Sequence, residues 1–218
     1  MSIPADAVTR MVLANDGSTT QLLSALLGTP LRVRVLDQRG LPSSQVRHRA
    51  AVKALVPGEA DEPLVVRKSQ LVRPDGRAIS VNTVIMTSSH LVARSIVDSG
   101  GTPLGRVLQG AVEQRRVITE TGCRMSEWGG VGRPSVYRSY LVFAGGRPFL
   151  HVEEQFHPAI VTPIRDLPLL EEDPRPWPTK ARSARPAHSR QGPEMHTYIS
   201  DPRVTLPQPP APARKPAE

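Results

Sequence analysis

One cysteine, Cys123, stands in the 218-residue chain. No intrachain disulfide framework and no cysteine-based zinc site can therefore form. A lone thiol of this kind reads as a small, inert, partly buried side chain, and no histidine can be named as its partner from spacing. Aromatic residues are scarce at 4%. With charge scattered rather than striped, that scarcity argues against a nucleic-acid partner, which calls for basic stripes interleaved with aromatics. No run reaches the ~18–20 apolar residues that span a bilayer. The N-terminus lacks a basic segment followed by an apolar core. No membrane partner is expected, and the cytoplasm is the expected location. The chain also lacks a G-x-S-x-G nucleophile elbow, and "GGVG" is not followed by the Lys-Ser/Thr of a phosphate loop. The 6 histidines, at 48, 90, 151, 157, 188 and 196, show no metal-ligand spacing, so no metal is expected.

What is present divides unevenly. Eleven of the 23 prolines follow Leu170. Residues 171–218 have few aliphatics and no sustained periodicity, so they cannot bury enough surface to offset their ordering entropy. They read as a disordered tail, with polyproline II character at "PQPPAPARKP" and a possible docking strand at "EMHTYI". Residues 1–170 are then the folded domain, long enough for a real core. The formal charge is +8, and the tail, with 8 Lys/Arg against 6 Asp/Glu, holds +2 of it. The remainder on the domain fits an anionic small molecule, a nucleic acid, or nothing specific.

Within the domain, "GSTTQLLSALLG" (17–28) carries Ser18 as N-cap, Gln21 three residues on, a leucine face and a closing Gly28, all helix signals. "PLRVRVLDQ" alternates with period two, as a half-exposed strand does. "PLVVRKSQLVRPDGRAISVNTVIM" reads as a hairpin around Pro74-Asp75-Gly76. "SSHLVARSIVDSGG" reads as a short helix. Thr102-Pro103 opens another helix, striped by Leu104, Val107, Leu108, Ala111 and Val112. "RRVITETG" reads as a strand and "CRMSEWGGVGRPS" as a glycine-rich connection. "VYRSYLVFAGGRPFLHVEEQFHP" is a second hairpin, turning at Gly145-Gly146. The expected class is α+β: one antiparallel sheet of about six strands, with two or three helices on one face.

In the last of these strands Leu150, Val152, Glu154 and Phe156 share one face, and Phe149, His151, Glu153, Gln155 and His157 share the other. The first set is apolar except for Glu154, so Glu154 points inward. The second set, with both histidines, is expected to be solvated. A buried carboxylate costs several kcal/mol unless paired or protonated. It is either half of a structural ion pair with a neighbouring strand's arginine or a functional acid. Arg67 is the obvious partner type, and it and Arg138 each stand on an inward strand face. Each could equally snorkel to water, but with Glu154 they outline a small anion-binding cavity.

Taken together, "NDGSTTQLLSALLGTPLRVRVLDQ", "VVRKSQLV", "GGTPLGRVL" and "YRSYLVFAGGRPFLHVEEQFHP" resemble, in order, the chorismate pyruvate-lyase family, including its broader actinobacterial and cyanobacterial branch. The resemblance covers residues 10–162, with a stretch from about 109 to 134 that departs from it. It implies an antiparallel sheet with packed helices, an enclosed site, and elimination of pyruvate from chorismate to give 4-hydroxybenzoate without metal or organic cofactor. In that pattern Arg67 holds a ligand carboxylate, Glu154 lies near the ring oxygen, and Leu104 offers a backbone N–H. Thr19 falls at a contact where enterobacterial members carry Met. Arg138 matches an arginine of the actinobacterial branch. Catalysis is expected from Glu154 and Arg67, and substrate binding from Thr19, Leu104 and Arg138.

Two other readings share the scaffold: a non-catalytic aromatic-acid-binding protein, and a biosynthetic enzyme for a related enolpyruvyl or aromatic acid. With no helix-turn-helix segment ahead of the domain, a one-chain regulator is not expected. A third reading has the basic tail contact nucleic acid or a membrane surface.

Overall fold

The computed structural model describes residues 4–58, 61–98, 101–108, 114–126, 128 and 133–170. The expected tail at 171–218 lies outside them, with its polyproline II and "EMHTYI" segments, as do Ala111 and Val112. Among the described residues there are five α-helices: α1 (Ala5–Ala14), α2 (Thr19–Leu27), α3 (Arg49–Leu55), α4 (Leu91–Asp98) and α5 (Leu104–Leu108). Six strands accompany them: β1 (Arg32–Pro42), β2 (Pro63–Val72), β3 (Ala78–Thr87), β4 (Gln114–Ser126), β5 (Arg133–Ala144) and β6 (Arg147–Phe156). They form one sheet in the order β1-β2-β3-β6-β5-β4. Every pairing is antiparallel. Two three-strand meanders thus meet along β3 and β6.

The local signals act as expected. The Ser18 hydroxyl accepts from the Gln21 N–H, and Gly28 closes α2 in the left-handed region at φ 60°. Gly145 and Gly146 sit at φ 56° and 77°. Two successive positive φ values make the tight turn that joins twisted strands, and glycine adopts them without a Cβ clash.

The sheet face bearing Glu154 carries a core in two parts. Under α1 and α2, Val12, Leu23, Leu71, Val136 and Phe156 form one cluster. Under α4 and α5, Val84, Ile96, Leu108, Tyr140 and Val152 form a second. Between them a polar row crosses four strands: Ser69 pairs with Asn82, Asn82 with Glu154, and Glu154 with Arg138. Paired residues share a face, so all four side chains point to the seam between the two clusters.

Three expectations are corrected. Five helices replace two or three. The short α3 was not recognised, nor was α1, whose buried side is Thr9, Val12 and Leu13. α3 packs on β3 and β6, on the face opposite Glu154, where it shields Glu153 and His151. His151, expected in solvent, is therefore buried at 7% exposure, whereas His157 is half-buried. The expected connection beginning at Cys123 is strand as far as Ser126, because Cys123 pairs with Val136 and Met125 with Pro134. A strap covers that edge: the Cys123 N–H donates to the Pro168 carbonyl at 2.8 Å, and the Leu170 N–H donates to the Cys123 carbonyl at 2.7 Å. Burial pushes the Cys123 thiol up, which suits an inert side chain.

Candidate active site

The seam opens into a small hollow lined by Thr19, Arg67, Asn82, Leu104, Tyr140 and Glu154, among others. Four of the five residues expected at a site line it; Arg138 does not. Glu154 and Arg67 are buried at 5% and 4% exposure.

Glu154 is held by its strand neighbour. The Arg138 Nε donates to Glu154 Oε2 at 2.7 Å, forming an ion pair almost sealed from water. Arg138 Nη2 donates to the Thr19 hydroxyl at 2.6 Å, and that hydroxyl donates to the same Oε2 at 3.0 Å. Arg138 Nη1 donates to the carbonyls of Val12 and Asn15, at 2.6 and 2.7 Å. A cation at the carbonyl end of α1 is well placed with respect to the helix dipole. The Arg138 fork is thus occupied by protein groups. The expected partner type, Arg67, is not the one that pairs with Glu154: the register of β5 and β6 sets Arg138 there instead, standing behind Glu154 rather than facing the hollow. Glu154 Oε1 has no hydrogen-bond partner among the described residues, and it is not sealed from the hollow.

Arg67 is built the same way with one part missing. Its Nη2 donates to the Ile96 and Val97 carbonyls at 2.6 and 3.2 Å, capping α4, and its Nε donates to Gln38 at 2.6 Å. No carboxylate meets it among the described residues, and Nη1 makes no hydrogen bond there. Burial pushes the Arg67 guanidinium below its usual range. A desolvated cation with only neutral acceptors favours an incoming anion.

Arg116 on β4 also lines the hollow and was missed from the sequence. Its Nη1 donates to the Gly17 carbonyl, and its guanidinium lies 5.7 Å from the Tyr140 ring centre. The guanidinium of Arg138 lies 5.2 Å from the same ring. Burial, followed by the Glu154 charge, holds the Tyr140 phenol well above its usual range, so the hydroxyl keeps its proton. Among the lining residues Arg67 and Arg116 are cations and Glu154 is the acid, a balance suited to a ligand with more than one negative charge. The signal for Arg116 was there in "RRVIT", but the stretch departs from the family pattern.

Leu104 opens α5, and its N–H belongs to the first turn, where helical N–H groups have no partner within the helix. Gly105 brings α5 against α2: a Cβ there would lie 2.6 Å from the Ser18 Oγ. Among the described residues no group of three or more His, Cys, Asp or Glu could hold a metal ion. No described helix is long and apolar enough to cross a membrane.

A family model described as "Chorismate pyruvate-lyase Rv2949c-like" matches residues 13–163. No curated protein matches the chain. Among solved structures, PhnF from Mycobacterium smegmatis aligns at TM-score 0.51 and 11% identity, over 73% of this chain and 70% of that one. The effector domain of PhnF aligns at the same TM-score and identity, over 72% of this chain and 95% of that one. The ligand-binding domain of a putative GntR-family regulator from Bordetella bronchiseptica aligns at 0.44 and 16% identity, over 64% and 85%. At such identities the likeness concerns the fold alone.

Proposed function

The chain belongs to the Rv2949c-like chorismate pyruvate-lyase family, and from that premise we propose that it eliminates pyruvate from chorismate to give 4-hydroxybenzoate. One observation carries the reading: a buried guanidinium without a carboxylate partner shares a hollow with a buried carboxylate whose second oxygen is open. Chorismate is a dianion. Arg67 Nη1 takes its ring carboxylate in a charge-assisted hydrogen bond. Arg116 supplies the second positive charge, for the enolpyruvyl carboxylate, and the Leu104 N–H adds a donor.

Glu154 acts as the base. Its Oε2 accepts from Arg138 and Thr19 together, an arrangement that uses the group as an acceptor. Oε1 takes the ring C–H proton while the ring–oxygen bond breaks. The electron pair leaves on the enolpyruvyl oxygen, the ring becomes aromatic, and the released enolate takes a proton at carbon to become pyruvate. Aromatisation supplies the driving force, so the protein provides orientation, desolvation and proton transfer. Arg138 and Thr19 are positioning residues in this scheme. The proposed functional unit is residues 1–170, acting in the cytoplasm without metal or organic cofactor, as the family resemblance implies.

A second reading, a binding protein for aromatic acids, draws on the size of the hollow. About 40 Å³ is free within it, room for one or a few waters. A ligand must therefore part α2 from α5, a coupling of the kind a sensing domain uses, on a fold shared with an effector domain. Pyruvate release from chorismate separates the two. The lyase reading expects turnover that falls at least a hundredfold in Glu154→Gln and in Arg67→Ala. Tight binding of 4-hydroxybenzoate with no pyruvate released selects the binding protein. Turnover of a different enolpyruvyl acid, read by mass spectrometry, redirects the substrate and keeps the mechanism.

A further inference from the structure

Asn82 leaves a polar atom unaccounted for. The residue is 8% exposed and lines the hollow. Its Oδ1 is buried with no hydrogen-bond partner among the described residues. Native interiors satisfy nearly all such atoms, so an orphan calls for an explanation. Of the orphaned atoms among the described residues, this one alone belongs to a residue lining the hollow.

Its surroundings say what is missing. Asn82 on β3 is the direct strand partner of Glu154 on β6. Glu154 Oε2 already takes two donors, while Oε1 takes none among the described residues. The Asn82 oxygen therefore stands at the position next to Glu154 as an acceptor without a donor, and an O–H or N–H is the group that satisfies it. Arg67 pairs with Val84, two residues along β3 from Asn82. That offset is about 7 Å along the strand, roughly the span from the carboxylate of a six-membered ring acid to a substituent at its far end.

We propose that Asn82 is a specificity-determining residue, whose amide oxygen accepts from a hydroxyl at the far end of a ring acid anchored by Arg67, leaving Glu154 Oε1 free for the ring C–H. The inference rests on the ring-acid site proposed above. A pocket built around a buried acceptor rejects analogues that lack the donor, because the acceptor is then left unpaired.

The test is calorimetric titration of the full chain with 4-hydroxybenzoate and with 4-fluorobenzoate, which is close in shape but offers no donor. The wild type should bind the hydroxy acid at least tenfold more tightly. Asn82→Leu should shrink that ratio at least threefold while holding or improving affinity for the fluoro acid. Asn82→Ser serves if the leucine variant does not fold. A folded variant that keeps the full preference, or a wild type without one, overturns the assignment. If the wild type binds both acids equally and loses both in Arg67→Gln, the role of Asn82 falls and the ring-acid site stands. If it binds neither acid, both readings fall.

Discussion

Glu153 and Glu154 leave β6 in opposite directions. Each is largely buried, and each meets a basic side chain and a hydroxyl. On the far face Glu153 Oε1 accepts from the Tyr137 hydroxyl at 3.0 Å and lies 3.2 Å from His48 Nδ1. The Arg124 guanidinium stacks 3.5 Å from the centre of the Tyr137 ring, and α3 covers this face. Burial pulls the Glu153 pKa up, but His48, Arg124 and His151 outweigh it and leave it below the usual value. On the near face the ion pair with Arg138 consumes one oxygen of Glu154 and the other borders a hollow. Burial and pairing are common to both acids. Both contacts of Glu153 fall on Oε1, so a second oxygen without a partner among the described residues is common too; the hollow shared with a guanidinium that meets no carboxylate belongs to Glu154, and that marks the difference between a structural acid and a candidate catalytic one.

The comparison breaks most readily at the two acids themselves. Glu154→Gln should lower pyruvate release by about 10²–10⁴-fold, while Glu153→Gln, measured in parallel, should leave turnover within about threefold and lower the melting temperature. Equal losses of turnover in both variants would mean that the hollow confers no special role. The next contrast is between the two buried arginines. Arg138→Met strands Glu154 as an uncompensated charge and should cost about 3–5 kcal/mol in denaturant unfolding. Arg67→Met removes a desolvated cation that has no carboxylate partner but strands the carbonyls it caps, and should cost only about 1–2 kcal/mol. Comparable losses would show that Arg67 carries structure instead of waiting for a ligand.

The smallest effect concerns pH. Burial holds the His151 pKa below 6.5, an effect larger than the opposing pull of Glu153. As pH falls below 6.5 the unfolded chain takes up the His151 proton before the folded chain does, so stability is full above that value and declines beneath it. Glu153, whose pKa is also lowered, acts in the same sense starting below its ordinary 4.5. A melting-temperature series from pH 7.5 to 5 should slope downward, and His151→Phe should flatten the upper part of the slope. An unchanged slope in that variant assigns the effect to another group.

Most of the architecture was legible because it is written in local patterns. Ser18, Gly28, Pro74-Asp75-Gly76 and Gly145-Gly146 each impose a backbone geometry on their own. The alternation in "LHVEEQF" set Glu154 on the inward face by period alone. α3 escaped notice because seven residues without a side-chain cap make a helix only when packed on the sheet, and with it went the burial of His151. The strand at Cys123–Ser126 was hidden because glycine-rich flanks mask a ladder that its partner strand completes.

The sequence by itself determined that an acid at 154 and arginines at 67 and 138 face one side of a sheet, since side-chain direction along a strand follows from its period. Which arginine neutralises the acid, which one stays unpaired, and which amide is left without a donor were decided by the register of β2, β3, β6 and β5 and by the helices laid over them. Those are relations between residues far apart in the chain. Their energies come from distance and desolvation, which no local pattern records.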